Sequence, residues 1–237
     1  TQQVSSAASD VYKRQALQLT MGGTPNVWDA YLQNCLSIVT DSFGGYGFMA
    51  EVMGREALNR SLQERTLDMA FAFDQIKADE LHCKKVADIV LVLVSTEEHT
   101  LESVFEDKYA YVDWGTKFAS EHAERHPKIP APYLRTSTAR IAMDFILEKG
   151  GSAYLPASLV EPFIASEQLF KVVGVEDWHR PIYLSYRKAS SSVEAIEQVE
   201  ELVKDIDPIT AYSLQQMADL PLDCLLYTSP SPRDTRE

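Results

Sequence analysis

Between Leu17 and Phe73 the chain alternates between two hydrophobic periods, and that alternation constrains its fold more than any other feature. Leu17 to Met21 alternates as a short strand does. Gly22-Gly23-Thr24-Pro25 then turns the chain, with Thr24 placed to cap a helix and Pro25 suited to its first turn. Trp28, Tyr31, Leu32, Cys35, Leu36 and Val39 recur at helical spacing, and Gly44-Gly45 ends that stripe. Phe48 to Met53 predicts a second strand, and Glu56 to Thr66 a helix with Leu58 and Leu62 inward. Leu67 to Phe73 predicts a third strand, almost wholly apolar as a strand covered on both faces must be. This βαβαβ order argues for a parallel sheet with right-handed crossovers.

The pattern continues with a change of character. Asp88 to Val94 is strongly β-branched. Tyr109 to Trp114, Tyr133 to Arg135, Ala153 to Leu155, Leu169 to Val173 and Pro181 to Arg187 predict further strands. Lys117 to Arg125 predicts a short helix, and Ser137 is placed to cap another that runs to Lys149 and stops at Gly150-Gly151. Pro156 to Ile164 predicts a helix, and Ser191 with Glu194 has the capping-box spacing ahead of Ile196, Val199, Leu202 and Val203. The expected fold class is α/β, with two Rossmann-like lobes joined by two crossover strands. The segments 16–94 and 183–223 would form lobe 1, and 95–182 lobe 2.

The two ends read differently. Asp-Val-Tyr-Lys-Arg-Gln, Asp10 to Gln15, has GAT GTG TAT AAG AGA CAG as one DNA encoding. The reverse complement of that DNA, shifted by one base, encodes Cys-Leu-Leu-Tyr-Thr, which is Cys224 to Thr228. The ends thus resemble one inverted transposase-end sequence, of the kind used in sequencing adapters, translated in both directions. The flanking Ser/Ala and Ser/Pro runs resemble the rest of the adapter arms. Residues 1–15 and 224–237 are therefore expected to be non-native and to make no core contacts.

Composition excludes several classes. The formal net charge is -13, from 22 basic and 35 acidic residues, a surface that repels phosphate backbones, so these residues alone are not expected to bind DNA. No apolar stretch is long enough to cross a membrane as a helix. With Cys224 set aside as an artefact, Cys35 and Cys83 offer no disulfide framework, which fits a reducing, cytoplasmic setting. There is no phosphate-binding glycine loop, no nucleophile elbow and no Ser/His/Asp or Cys/His set, so no enzymatic activity and no cofactor are expected. His122 and His126 have the i,i+4 spacing of a metal pair, yet no third ligand stands near them, and no metal is expected. The acidic run Glu194 to Glu201 reads as a solvated helix face.

Several segments carry a resemblance in order and spacing. They are Leu17-Gln18-Leu19-Thr20-Met21-Gly22 leading into a helix; Leu62 to Phe71 with its Leu67-Asp68 before an apolar strand; Ile89 to Val94 followed by Glu98-His99-Thr100-Leu101; and Gly150-Gly151-Ser152-Ala153-Tyr154-Leu155-Pro156. Together they resemble the effector-binding domain of LysR-type bacterial transcription regulators, itself similar to type 2 periplasmic binding proteins. Thr100 stands where that family usually has proline. Tyr109 to Gly115 with Phe118 and His122 is similar to one branch of the family, which includes a repressor of flagellar genes in enteric bacteria. The resemblance implies a sensor whose DNA-reading winged helix-turn-helix precedes this sequence, a homodimer paired through lobe 1, and a small effector between the lobes. A two-lobed solute-binding protein of a transport system would share the same cleft.

The resemblance also implies the site. Two helix starts should face the cleft, at Thr24-Pro25-Asn26 and at Thr136-Ser137-Thr138. Helix N-termini carry free amide donors and partial positive charge, which suits an anion. Thr24, Asn26, Thr136, Ser137 and Thr138 are thus candidate effector-binding residues, although Thr and Ser also cap helices without any ligand. Trp114, at a strand end before Gly115, is the sixth candidate; core packing would account for it equally well.

Overall fold

The computed structural model describes residues 17–204 and 206. The expected non-native ends, 1–15 and 224–237, and the stretch 207–223 assigned to lobe 1 lie outside the described residues. Strand β1 (Leu17–Gly23) opens the fold and leads into helix α1 (25–42). Then come β2 (Tyr46–Val52), α2 (Arg55–Gln63), β3 (Met69–Ala72) and the long β4 (Leu81–Ser95). The second half contains β5 (Tyr109–Val112), α3 (Thr116–Arg125), β6 (Leu134–Thr136), α4 (Ala139–Lys149) and β7 (Ser152–Pro156). It closes with α5 (Ala157–Ala165), β8 (Phe170–Lys171), β9 (Trp178–Arg187) and α6 (Val193–Lys204).

The strands run in the order β2-β1-β3-β9-β4-β7-β5-β6, with β8 added on β4. The two ends of this order are parallel: β1 pairs with β2 and β3, and β5 pairs with β6 and β7. Its middle is antiparallel, where β4 and β9 run against each other from Leu81↔Arg187 to Leu91↔Trp178. These two strands join the lobes, and the register of β4 shifts between Lys85 and Ala87. Such a bulge bends a strand, and here it falls where β4 leaves one lobe for the other. The sequence shows only the second half of β4, because Leu81 to Lys85 is a mixed polar run stabilised by pairing rather than by burial of a continuous apolar face.

Gly22-Gly23 does not turn the chain. Both glycines belong to β1, and their role is close packing. A Cβ on Gly22 would stand 2.8 Å from Leu58 of α2, and one on Gly23 would stand 2.7 Å from Leu32 of α1. Helices can therefore lie on both faces of the strand end. α1 is interrupted by a π-helical turn over Trp28–Leu32, which the sequence stripe does not reveal. The turn sets the Tyr31 hydroxyl to donate to the carbonyl of Val203, tying α1 to α6. Cys35 is buried on the same face, and burial pushes its thiol up to about 12, so it packs as a small hydrophobe. α2 places Glu56 in its first turn and Arg60 in its last, which complements the helix dipole.

α6 is only partly the solvated face expected of Glu194 to Glu201. Glu194, Glu197 and Glu201 are exposed, but Glu200 is buried and held by Lys84 and Lys204, each at 2.9 Å. The turn before α6 is closed by Ser190 Oγ, which accepts from the Ser192 amide, rather than by a Ser191–Glu194 capping box. At the far end of lobe 2, Gly150 and Gly151 do end α4, with φ values of 76° and 129°. No helix among the described residues is long and apolar enough to cross a membrane.

Candidate effector-binding site

In parallel α/β sheets the loops after the strands converge at one edge, and ligands collect there. Here β1 and β3 of lobe 1 and β5 and β6 of lobe 2 all end at the space between the lobes. A cavity of about 450 Å³ occupies it. Lobe 1 contributes Thr24, Pro25, Asn26, Gly54, Arg55 and Asp74; lobe 2 contributes Asp113, Gly115, Thr116 and Ser137. A volume of this size matches a small metabolite.

The structure gives the six sequence candidates different tasks. Thr24 sits at the N-cap position of α1 with extended backbone, yet its side chain caps nothing. Its Oγ1 is buried and has no hydrogen-bond partner among the described residues. Asn26 is 2% exposed and fully committed: Nδ2 donates to the carbonyl of Asp113 at 2.9 Å, and Oδ1 accepts from the Ala139 amide at 2.7 Å. It bridges the lobes and satisfies a donor in the first turn of α4. Thr138, not Ser137, caps α4, accepting from the Ile141 amide at 3.3 Å. Thr136 Oγ1 accepts from the Thr138 amide at 3.2 Å and holds that turn. Ser137, freed from capping, is exposed and lines the cavity. Trp114 does not line it. The indole is fully buried, donates to the Tyr154 carbonyl at 3.1 Å, and meets Phe73 edge-on. It is the floor beneath the cleft, because β5 ends just before it and its ring turns down between the lobes' cores.

Sequence reasoning misses the charged part of the site. Arg180, on β9, is 1% exposed; its Nε donates to the Trp114 carbonyl at 3.0 Å and its Nη2 meets Asp74 Oδ1 at 3.3 Å. Asp74 Oδ2 also accepts from the Thr116 amide in the first turn of α3, at 3.1 Å. This chain of contacts crosses from β3 through β9 to lobe 2, and it neutralises a guanidinium that would otherwise be buried alone. Gly115, with φ of 95°, makes it possible: a Cβ there would stand 2.7 Å from Asp74 Oδ2 and 2.9 Å from Arg180 Nη2. One signal was available, since Asp74 and Asp113 each follow an apolar strand closely. Nothing in sequence marks Arg180. Arg55 also lines the cavity and has no carboxylate within ion-pair distance among the described residues.

The histidine pair is structural. His122 Nε2 lies 2.8 Å from the Tyr109 hydroxyl and His126 Nε2 lies 3.0 Å from the Tyr154 hydroxyl. Burial, then the nearby His126 and Arg135 charges, pushes His122 down to about 4, so it is neutral at pH 7. No group of three or more His, Cys, Asp or Glu among the described residues is placed to hold a metal ion.

These features define a class: a two-lobed mixed α/β domain with a cavity at the strand ends between the lobes. The profile of the LysR substrate binding domain matches residues 13–206, and the chain belongs to that family. Sequence relatives include the HTH-type transcriptional regulator HdfR of Yersinia pestis (strain Pestoides F) and of Yersinia pseudotuberculosis serotype O:1b (strain IP 31758). Each is 25% identical over 201 residues, covering 80% of this chain and 67% of the relative. Among solved structures, the reduced OxyR regulatory domain of Pseudomonas aeruginosa aligns with a TM-score of 0.67 at 14% identity, over 80% of this chain and 98% of that one. The apo regulatory domain of HypT from Salmonella typhimurium gives 0.65 at 11% identity, over 78% and 93%. A sulfate-bound OxyR2 regulatory domain from Vibrio vulnificus gives 0.60 at 15% identity, over 79% and 94%. The fold is that of LysR regulatory domains, and the relatives are transcription regulators.

Proposed function

We propose that this domain senses a small anionic metabolite for a cytoplasmic LysR-type regulator, which reaches DNA through a separate winged helix-turn-helix domain. The observation that carries the reading is Thr24 Oγ1, a buried hydroxyl with no hydrogen-bond partner among the described residues, on a residue that lines the cleft. A buried polar atom left unpaired costs free energy, and a ligand that pairs with it recovers that cost. Ser137 faces the same cavity from lobe 2, so one ligand can touch both lobes. Asn26, Thr136 and Thr138 position the two helix starts, and Trp114 forms the floor. A negative charge on the ligand is supported by Arg55, which lines the cavity and has no ion pair among the described residues, and by the helix starts. Two structural neighbours add support: one is described as sulfate-bound and a HypT regulatory domain as bromide ion-bound.

A ligand that bridges the lobes stabilises one interlobe arrangement over others, and such differential affinity is what shifts a population. A homodimer would transmit that shift. The face between α1 and α6 suits pairing: Ile38 is 40% exposed there, and Phe43, Leu202 and Ile206 line a depression beside it. A single mass equal to the monomer by light scattering at high concentration would refute the dimer.

The site is tested by thermal shift with sulfate and a panel of small carboxylates, followed by Thr24→Val and Ser137→Ala. A hit should lose affinity in both variants. A hit that binds both variants as tightly as the parent places the ligand elsewhere.

A further inference from the structure

The cleft does not end at Ser137. Asp113, Ala119 and Ser137 line both the interlobe cavity and a second cavity of about 420 Å³ on lobe 2. Tyr111, Ala119 and Arg135 line that second cavity and also a third, of about 380 Å³. The third is walled by Pro127, Ile129, Pro130 and Pro132 on one side and by Tyr111, His122 and His126 on the other. A continuous groove thus runs from the cleft across lobe 2, and its far end is lined by rings.

Its charge is one-sided. Among the described residues, Arg135 is the one formally charged side chain lining the far end, since His122 and His126 are both held neutral, chiefly by burial. The Arg135 guanidinium lies 4.8 Å from the centre of the Tyr111 ring and makes no ion pair among the described residues. A guanidinium stacked on a ring keeps its edge N–H groups free for a carboxylate. Among the described residues lining the second and third cavities, Asp113 is the one acid, and its Oδ1 accepts from the Gly115 amide at 2.9 Å. In a chain of net charge -13 this cation stands out as available to an outside anion. The proline walls have fixed backbones, so ordering them around a ligand costs little.

We propose that the lobe 2 groove is a second small-molecule site, selective for a ring-bearing carboxylate, with the carboxylate on Arg135 and the ring between Tyr111 and the Pro127–Pro132 wall. It goes beyond the cleft reading and does not depend on which ligand the cleft takes.

The test is calorimetric titration of the full chain with benzoate, with benzamide and acetate as comparators. Benzoate should bind with a dissociation constant in the millimolar range or tighter, as a ligand of its size allows. Benzamide lacks the charge and acetate lacks the ring, and each should bind at least about tenfold more weakly. Arg135→Gln should weaken benzoate by at least about tenfold, the loss expected when a charged hydrogen-bond partner is removed. Ala123→Trp, at an exposed position on the pocket wall, should abolish binding by filling the space, with the melting temperature of the free protein unchanged. Thr24→Val should leave benzoate affinity as it was. No heat from benzoate at millimolar concentration would overturn the proposal. Unchanged binding in both Arg135→Gln and Ala123→Trp would also overturn it. Loss of benzoate in Thr24→Val alone would assign the carboxylate to the interlobe cleft, sinking this proposal while supporting the other reading.

Discussion

Asn26→Ala should cost far more stability than an ordinary cleft residue would. The side chain is 2% exposed and makes two bonds across the lobe boundary, to the Asp113 carbonyl at 2.9 Å and from the Ala139 amide at 2.7 Å. Alanine removes both partners at once and leaves an acceptor on one lobe and a helix-end donor on the other. Each orphaned buried group costs about 1–3 kcal/mol. Water entering from the adjacent cavity can recover part of this. The expected loss is therefore about 2–4 kcal/mol, or roughly 4–16 °C in melting temperature for a domain of this size. Asn26→Asp should lose a comparable amount by a different route, because it keeps the acceptor for Ala139 but turns an oxygen against the Asp113 carbonyl. Urea unfolding measures the loss, and hydrogen exchange at the Ala139 amide reports on the bridge itself: it should speed up in Asn26→Ala while the amides of β1 stay protected. Stability within about 0.5 kcal/mol of the parent, the range of ordinary surface substitutions, would refute the argument that Asn26 fastens the lobes.

Acid should loosen lobe 2. His122 stays neutral in the fold down to about 4 but takes a proton near 6.5 once unfolded, so the unfolded state binds more protons across that window. Stability should therefore fall as pH drops from about 6.5 toward 4, by up to about 3 kcal/mol, and His122→Gln should flatten that slope in urea titrations; an unchanged slope would count against the assignment. Gly151→Ala should fail to fold or lose several kcal/mol, since φ is 129° and the new Cβ would stand 2.3 Å from the Lys108 carbonyl oxygen. A melting temperature equal to the parent's would contradict it. Glu200→Ala should lower stability by loosening α6 from β4, whereas Glu197→Ala on the exposed face should have no measurable effect; equal effects would refute the distinction.

Much of the site was legible only as a neighbourhood. The loops at Thr24–Asn26 and Thr136–Thr138 read as cleft loops because parallel sheets place ligand sites beyond the strand ends, where these helices begin. Which side chain in each loop is free for a ligand was not legible. Capping chemistry depends on a shift of a single residue in where a helix begins: α4 starts one residue later than the Ser137 reading, which makes Thr138 the cap and releases Ser137. Asn26 and Trp114 look like ligands from their positions, but contacts more than 39 residues away in sequence claim their polar atoms. Arg180 and Gly115 are meaningful only together with Asp74, three positions that no local pattern connects.

The sequence by itself determined the elements and their order, because hydrophobic period, glycine stops and proline starts act over a few residues and need no partner to be read. It determined the α/β class, the two-lobed order and the family resemblance for the same reason. Tertiary structure alone decided that Gly22-Gly23 is a packing surface instead of a turn, that β4 begins at Leu81, and that a π turn aims Tyr31 at α6. It also decided that Thr24 Oγ1 has no hydrogen-bond partner, and that Arg55 and Arg135 have no ion pair, among the described residues. Whether a polar group is free depends on every other group that folding brings within hydrogen-bonding distance, and that information is not local to any segment of the chain.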